Sequence, residues 1–162
     1  MARTVGKTTR ATQALDKAAI RYSLHTYDYD PEAQRIGLQA AEALGVAPGR
    51  VLKTLMAAVD GRPVCLLVAS DREVSMKRVA ASFSGKAAAM LKPAEAERLT
   101  GYHVGGISPL GQKRPFPIAV DSGSLSDPGA EIHINGGGRG LQIRLTEADL
   151  IVALTPMVVP LV

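Results

Sequence analysis

Apolar residues along this chain fall into short blocks whose spacing switches between helical and extended. Ala11, Leu15 and Ala18, followed by Tyr22, recur at helical spacing with charges between them, so 9–21 reads as a helix. "SLHTYDYD" (23–30) alternates as a strand does, and Pro31 ends it. "LQAAEALG" (38–45) is a second helix with Gly45 as its C-cap. "VLKTLMAAV" (51–59) and "PVCLLVAS" (63–70) flank Asp60-Gly61, a hairpin signal. "SMKRVAASFSG" (75–85) reads as a helix capped by Ser75, with Met76, Val79, Ala80 and Phe83 on one face. "KAAAML" (86–91) suggests a short strand, and "PAEAERLTG" (93–101) a short helix that opens on proline and closes on glycine. "FPIAVD" (116–121), "AEIHIN" (130–135) and "LQIRLT" (141–146) read as three strands, after which Thr146 caps a last helix, "EADLIVAL".

No repeat, linker or composition break divides these elements, so 1–162 reads as a single α/β domain. Hairpin links and an irregular strand order argue for an α+β-like arrangement. The expected core is a mixed, largely antiparallel sheet curled toward an open barrel and surrounded by helices. The apolar fraction of 46% is too high for disorder, and 4% aromatics with no Trp makes the core one of Val, Leu, Ile and Ala. No apolar run reaches the ~18 residues of a membrane span. The greasy tail "LIVALTPMVVPLV" (150–162) is short and broken by two prolines. "MARTVGKTTRATQ" carries charge without an apolar segment behind it, unlike a secretory signal, and residues 1–10 are expected to be a flexible basic arm. A single cysteine, Cys65, cannot close an internal disulfide, which fits a reducing compartment. The expectation is a cytoplasmic protein without membrane contact, monomeric or weakly dimeric. The net charge of +4 suits a polyanionic partner, although many soluble proteins share it.

Several apparent motifs dissolve on inspection. "GKTT" (6–9) resembles the end of a P-loop, but the first glycine of that motif would fall on Met1. His25, His103 and His133 have no zinc-like spacing, so no metal or other cofactor is expected. Ser108 lacks the nucleophile-elbow pattern, and Cys65 lies in an apolar strand where a thiol stays protonated. Lys53 is different. It interrupts an apolar strand, and is either an edge guard against aggregation or a cation aimed into a cleft, where it suits a phosphate or a developing oxyanion. "GYHVGGISPLGQKR" (101–114) and "NGGGRG" (135–140) are glycine-rich, and such backbone can bring N–H groups to an anion or a carbonyl oxygen. Two such loops with an in-strand lysine favour a site over two plain turns.

These residues carry a resemblance. "HTYDYDP" (25–31), "VLKTL" (51–55), "TGYHVGGISPLGQKR" (100–114) and "NGGGRGLQIRL" (135–145) are similar to the YbaK/EbsC family, relatives of the editing domain of bacterial prolyl-tRNA synthetases. The resemblance spans about residues 15–155. It implies a trans-editing deacylase for Cys-tRNA(Pro), with sister branches that clear Ala-tRNA(Pro); a tRNA- or nucleotide-binding module without turnover is the alternative. It implies aminoacyl-tRNA as the partner, with prolyl-tRNA synthetase as a further one. By the same resemblance Lys53, Gly101 and Gly106 are catalytic. Tyr27, Ile36, Thr54, Gly105, Ser108, Asn135, Gly136, Gly137 and Gln142 line the substrate. Lys113, Arg114 and Arg139, which flank the glycine loops, are expected on tRNA phosphates. In the cysteine-specific branch the substrate's own thiol attacks its ester. Ile36, Asn135 and Gln142 depart from the family pattern near the expected pocket, where they bear on amino-acid preference.

Overall fold

A computed structural model describes residues 8–32 and 36–162. In chain order the elements are α1 (Arg10–Lys17), β1 (Ser23–Thr26), α2 (Ile36–Leu44), β2 (Leu52–Val59), β3 (Arg62–Ala69), α3 (Met76–Ser82), β4 (Ala88–Met90), α4 (Pro93–Thr100), β5 (Ile118–Asp121), β6 (Glu131–Asn135), β7 (Leu141–Thr146), α5 (Glu147–Leu154) and β8 (Met157–Val159). Local signals set most boundaries. Asp60 and Gly61 take φ of 49° and 81°, the left-handed pair that a two-residue hairpin turn requires. The Ser75 and Thr146 hydroxyls accept from the N–H groups of Arg78 and Asp149, and cap α3 and α5. α1 stops at Lys17, earlier than its apolar spacing suggests: Ala18 is its exposed C-cap and Ala19 turns to φ 57°. β1 ends at Thr26 because its partner begins at Leu141, opposite Thr26. Thr9 and Arg10, expected in a flexible arm, belong to the fold. Thr9 caps α1 and donates its hydroxyl to Gly136 O at 2.6 Å.

The strands form two sheets. One is three-stranded and antiparallel, in the order β1-β7-β6. The other runs β4-β2-β3-β5-β8, antiparallel from β4 to β3 and parallel from β3 to β8. They do not close into a barrel. They meet where Val51, just before β2, forms a parallel bridge with His133 of β6. The main core lies between them: Leu52, Leu67 and Val120 face Ile132, Ile134, Ile143 and Leu145, with Leu15 of α1 and Leu150 of α5 at the ends. Each such buried side chain contributes about 1.5–3 kcal/mol. A second cluster packs Val79 of α3 against Ala57, Leu66 and Ala119, with Met76 and Phe83 at its edge. A third packs Ala96 and Leu99 of α4 against Met56, Cys65 and Phe116. β8 uses the greasy tail, between its two prolines. It is held by Asp121, whose carboxylate accepts from Leu161 N at 2.9 Å and from the Ser124 hydroxyl at 2.8 Å, and pairs with Arg72 at 3.2 Å. No helix among the described residues is long and apolar enough to cross a membrane.

His25 and His133, far apart in sequence, meet across β7 with ring centroids 5.6 Å apart. His103 is elsewhere, beside Glu97 at 3.6 Å. Burial, followed by the charges of His25 and Arg144, pushes His133 down to about 4. The unfolded chain therefore takes up a proton at this residue near pH 6.5 while the folded chain resists until about pH 4. Stability is fully present above ~6.5 and falls as the pH drops toward 4, by on the order of 3 kcal/mol. His133→Phe keeps a ring in the same place and should flatten this part of the acid profile in urea unfolding between pH 7 and 4. An unchanged slope in the variant would place the acid sensitivity elsewhere.

Candidate functional site

At the seam between the two sheets lies a cavity of about 430 Å³. β2 and the residue before it supply Val51, Leu52, Lys53, Thr54 and Leu55 to its wall; Leu38 comes from α2, and Ser70 and Glu73 from the end of β3 and the turn after it. Val104, Gly105 and Ile107 come from the first glycine loop, Asn135 from the end of β6 and Gln142 from β7. The volume lies in the range of small-molecule sites, and the lining is apolar with a few polar groups. Lys53 thus lines the same cleft as the glycine loop. Its side chain is 21% exposed and its Nζ lies 3.4 Å from Glu73 Oε1. Thr54 Oγ1 and Gln142 Oε1 are buried without a hydrogen-bond partner among the described residues.

The two glycine loops are bound to one another. Asn135 Nδ2 donates to Gly105 O at 3.0 Å, and its Oδ1 accepts from Gly137 N at 2.7 Å and Gly138 N at 3.3 Å. Arg139 Nε donates to Val104 O at 2.9 Å, and its guanidinium lies 5.5 Å from the centre of the Tyr29 ring. Gly106 is glycine for want of room: a Cβ would lie 3.0 Å from the Arg139 N and Gly138 C atoms.

The expected site residues therefore divide. Lys53, Thr54, Gly105, Asn135 and Gln142 line the cavity; Tyr27, Gly101, Gly106, Ser108, Gly136 and Gly137 do not. The Gly101 N–H is committed to Glu97 O as the left-handed cap of α4, and the Gly106 N–H to His103 O at 2.8 Å. The Ser108 hydroxyl is buried and accepts from Leu110 N at 3.2 Å, shaping the loop from within. Gly136 and Gly137 pack against Leu141, Tyr102 and Thr9. Tyr27 supports the wall from behind: its ring packs with Ala40, Ala41 and Val51, and burial raises its hydroxyl pKa. Ile36 opens α2, and its side chain lies outside the described residues. Lys113 is exposed near Gly101. Arg114 stacks 5.1 Å from the Phe116 ring and lines a different concavity, with Asp60, Arg62 and Phe83, at the hairpin end of β2. Roughly 20 Å of strand separates that end from Lys53. Leu38, Glu73 and Val104 were not anticipated; only the third dimension brings them to Lys53.

Cys65 is fully buried on β3, and burial pushes its thiol up to about 12. Among the described residues no group of three or more His, Cys, Asp or Glu side chains could hold a metal ion.

Asn135 is the tie between the loops, and Asn135→Ala removes all three of its bonds at once. It should destabilise the protein by about 1–3 kcal/mol in urea unfolding and speed amide exchange at Gly137 and Gly138, whose N–H groups donate to Asn135 Oδ1. Unchanged exchange at both glycines would show that the second loop keeps its shape without it.

The chain as a whole is similar to known proteins. The profile of the aminoacyl-tRNA editing domain family matches residues 30–152. An Enterococcus faecalis protein provisionally named Cys-tRNA(Pro)/Cys-tRNA(Cys) deacylase EbsC is 30% identical over 150 residues, covering 91% of this chain and 88% of that one. Proline–tRNA ligase of Acidithiobacillus ferrooxidans is 29% identical over 118 residues, 68% of this chain but only 21% of the ligase. A crystal structure provisionally described as a trans-editing enzyme for prolyl-tRNA synthetase has the same fold, with a TM-score of 0.79 at 24% identity and 94% of both chains covered. The chain belongs to the aminoacyl-tRNA editing domain family.

Proposed function

We propose that this protein hydrolyses the aminoacyl ester of mischarged proline tRNA in trans, with Cys-tRNA(Pro) as its substrate. The observation that carries the reading is the convergence of Lys53 and Gly105 on one small, mostly apolar cavity. Lys53 Nζ offers three donors and a fixed charge to the ester and the terminal nucleotide. The Gly101 and Gly106 amides are already committed, so Gly105 is the glycine of the loop that meets the ester. Neither Cys65, buried and protonated, nor Ser108, turned into its own loop, can serve as nucleophile. The cysteine of the substrate can. Its sulfur attacks the ester carbonyl carbon, the C–O bond to the ribose breaks, and the thiol proton passes to the ribose oxygen that leaves with the tRNA. Water then opens the resulting four-membered thiolactone to free cysteine. Lys53 stabilises the oxyanion of the first step. Such editing answers a real limit, because a synthetase pocket for proline cannot strongly reject a smaller residue.

Single-turnover deacylation of proline tRNA charged with cysteine, alanine or serine tests this directly. Cysteine should be removed fastest, since it alone carries a thiol. Lys53→Ala should lose ~10²–10³ in rate while its circular dichroism is unchanged, the typical cost of removing one oxyanion donor. Cys65→Ala should keep most of the activity. A folded Lys53→Ala protein at the wild-type rate, or faster removal of alanine than of cysteine, would sink this mechanism.

Arg139 stands at the cavity rim through its bond to Val104, whereas Arg114 lies at the far end of β2. Arg139→Ala should therefore weaken tRNA affinity and lower the salt slope by about one, as loss of one phosphate contact does. Arg114→Ala should act more weakly. Equal effects from the two variants in filter binding across a salt series would mean that the tRNA covers both ends of the strand.

A further inference from the structure

The cavity wall carries one acidic side chain among its described lining residues, and the chemistry above does not use it. Glu73 stands in the turn between β3 and α3, and its carboxylate reaches across to Lys53 on β2 at 3.4 Å. Its side chain is 74% exposed, so the pair adds little to stability. Resting on the reading of the preceding subsection, we propose that Glu73 binds the α-ammonium group of the aminoacyl ester and restricts the cavity to substrates with a free amino group.

The argument is one of charge and geometry. An aminoacyl ester presents an ester carbonyl and, on the adjacent carbon, an ammonium group. Lys53 suits the carbonyl, but the same charge repels an ammonium one atom away. A carboxylate beside the lysine removes that conflict. On binding, the substrate ammonium replaces Lys53 as the partner of Glu73, and the lysine donors turn to the ester, so one cation is exchanged for another and no charge is left unpaired. Two other acceptors on the wall are already engaged. Gly105 O takes the Asn135 amide, and Asn135 Oδ1 takes the N–H groups of Gly137 and Gly138. Thr54 Oγ1 and Gln142 Oε1 have no partner among the described residues, but both are buried and neutral. Glu73 alone combines negative charge with access.

The test uses the full chain and two amide-linked probes that cannot be hydrolysed: 3′-deoxy-3′-(L-alanylamino)adenosine and its N-acetyl derivative. By calorimetry at pH 6.5 the wild-type protein should bind the free-amine probe about tenfold or more tightly than the acetylated one, as a charge-assisted hydrogen bond would give. Glu73→Gln should bring the two within about twofold, and Glu73→Asp should keep part of the preference. Raising the pH through the α-amino pKa of ~8 should erase the wild-type preference and leave Glu73→Gln flat. A wild-type preference that survives in Glu73→Gln, or is lost in Gln142→Leu instead, would overturn the assignment. So would equal binding of both probes by the wild type. Deacylation of Cys-tRNA(Pro) by the same proteins is read separately: absence of hydrolysis would end the enzyme reading and leave the amine preference measurable.

Discussion

The site depends on how the chain enters β2. Val51 bridges to His133 in the three-stranded sheet, while its carbonyl accepts from both Ser70 N at 2.9 Å and the Ser70 hydroxyl at 2.7 Å at the end of β3. One residue is thereby tied to both sheets. The turn before it is pinned as firmly: Arg50 donates to Glu147 Oε2 at 2.7 Å and to Glu131 O at 3.0 Å, and Glu147 also accepts from the N–H groups of Ser126 and Asp127. Glu147 is buried, so deleting Arg50 would leave a carboxylate with less compensation in the interior. The cavity lies beside this junction, with Val51 and Leu52 in its wall.

Polar groups of the cavity wall serve different ends. Asn135 spends its amide on joining the two glycine loops, which makes the rim a single unit. Lys53 and Glu73 keep opposite charges accessible at short range. Thr54 and Gln142 retain buried oxygens without partners among the described residues, a cost that a folded protein usually avoids. Around them Leu38, Leu52, Leu55 and Ile107 keep the space apolar, which strengthens any charge interaction formed inside.

Much of this was legible along the chain because it is local. Asp60-Gly61, the Ser75 and Thr146 caps, and the proline and glycine that bracket α4 act within a few residues of themselves, and each does in three dimensions what its spacing implies. Lys53 was legible as an anomaly, a charge on an apolar strand, though its direction was not. What stayed hidden is non-local. The parallel run of β3, β5 and β8 joins segments that no turn connects, and the two prolines of the tail flank β8 without interrupting it. The meeting of His25 with His133 follows from the register of both strands on β7. Glu73 sits in an exposed turn that reads as ordinary solvated loop until the hairpin folds it beside Lys53. The glycines misled in a different way. Composition marked both loops as special, but Gly106 and Gly137 sit where one loop meets the other, Gly101 and Gly111 lie against Arg10, and only Gly105 of the five assigned to the site reaches the cavity.

That close packing bears on how such a protein can change over generations. Gly106 meets the backbone of Gly138 and Arg139 with no room for a side chain, so a side chain added there displaces the second loop. Gly106 therefore resists drift, since no side-chain exchange beside it can relieve a clash with main chain. Leu38, Thr54 and Gln142 carry no such coupling through the main chain; they stand on a helix and two strands and can be exchanged one at a time. A lineage whose cavity takes on a new shape has an open route through these three wall positions and a closed one through Gly106.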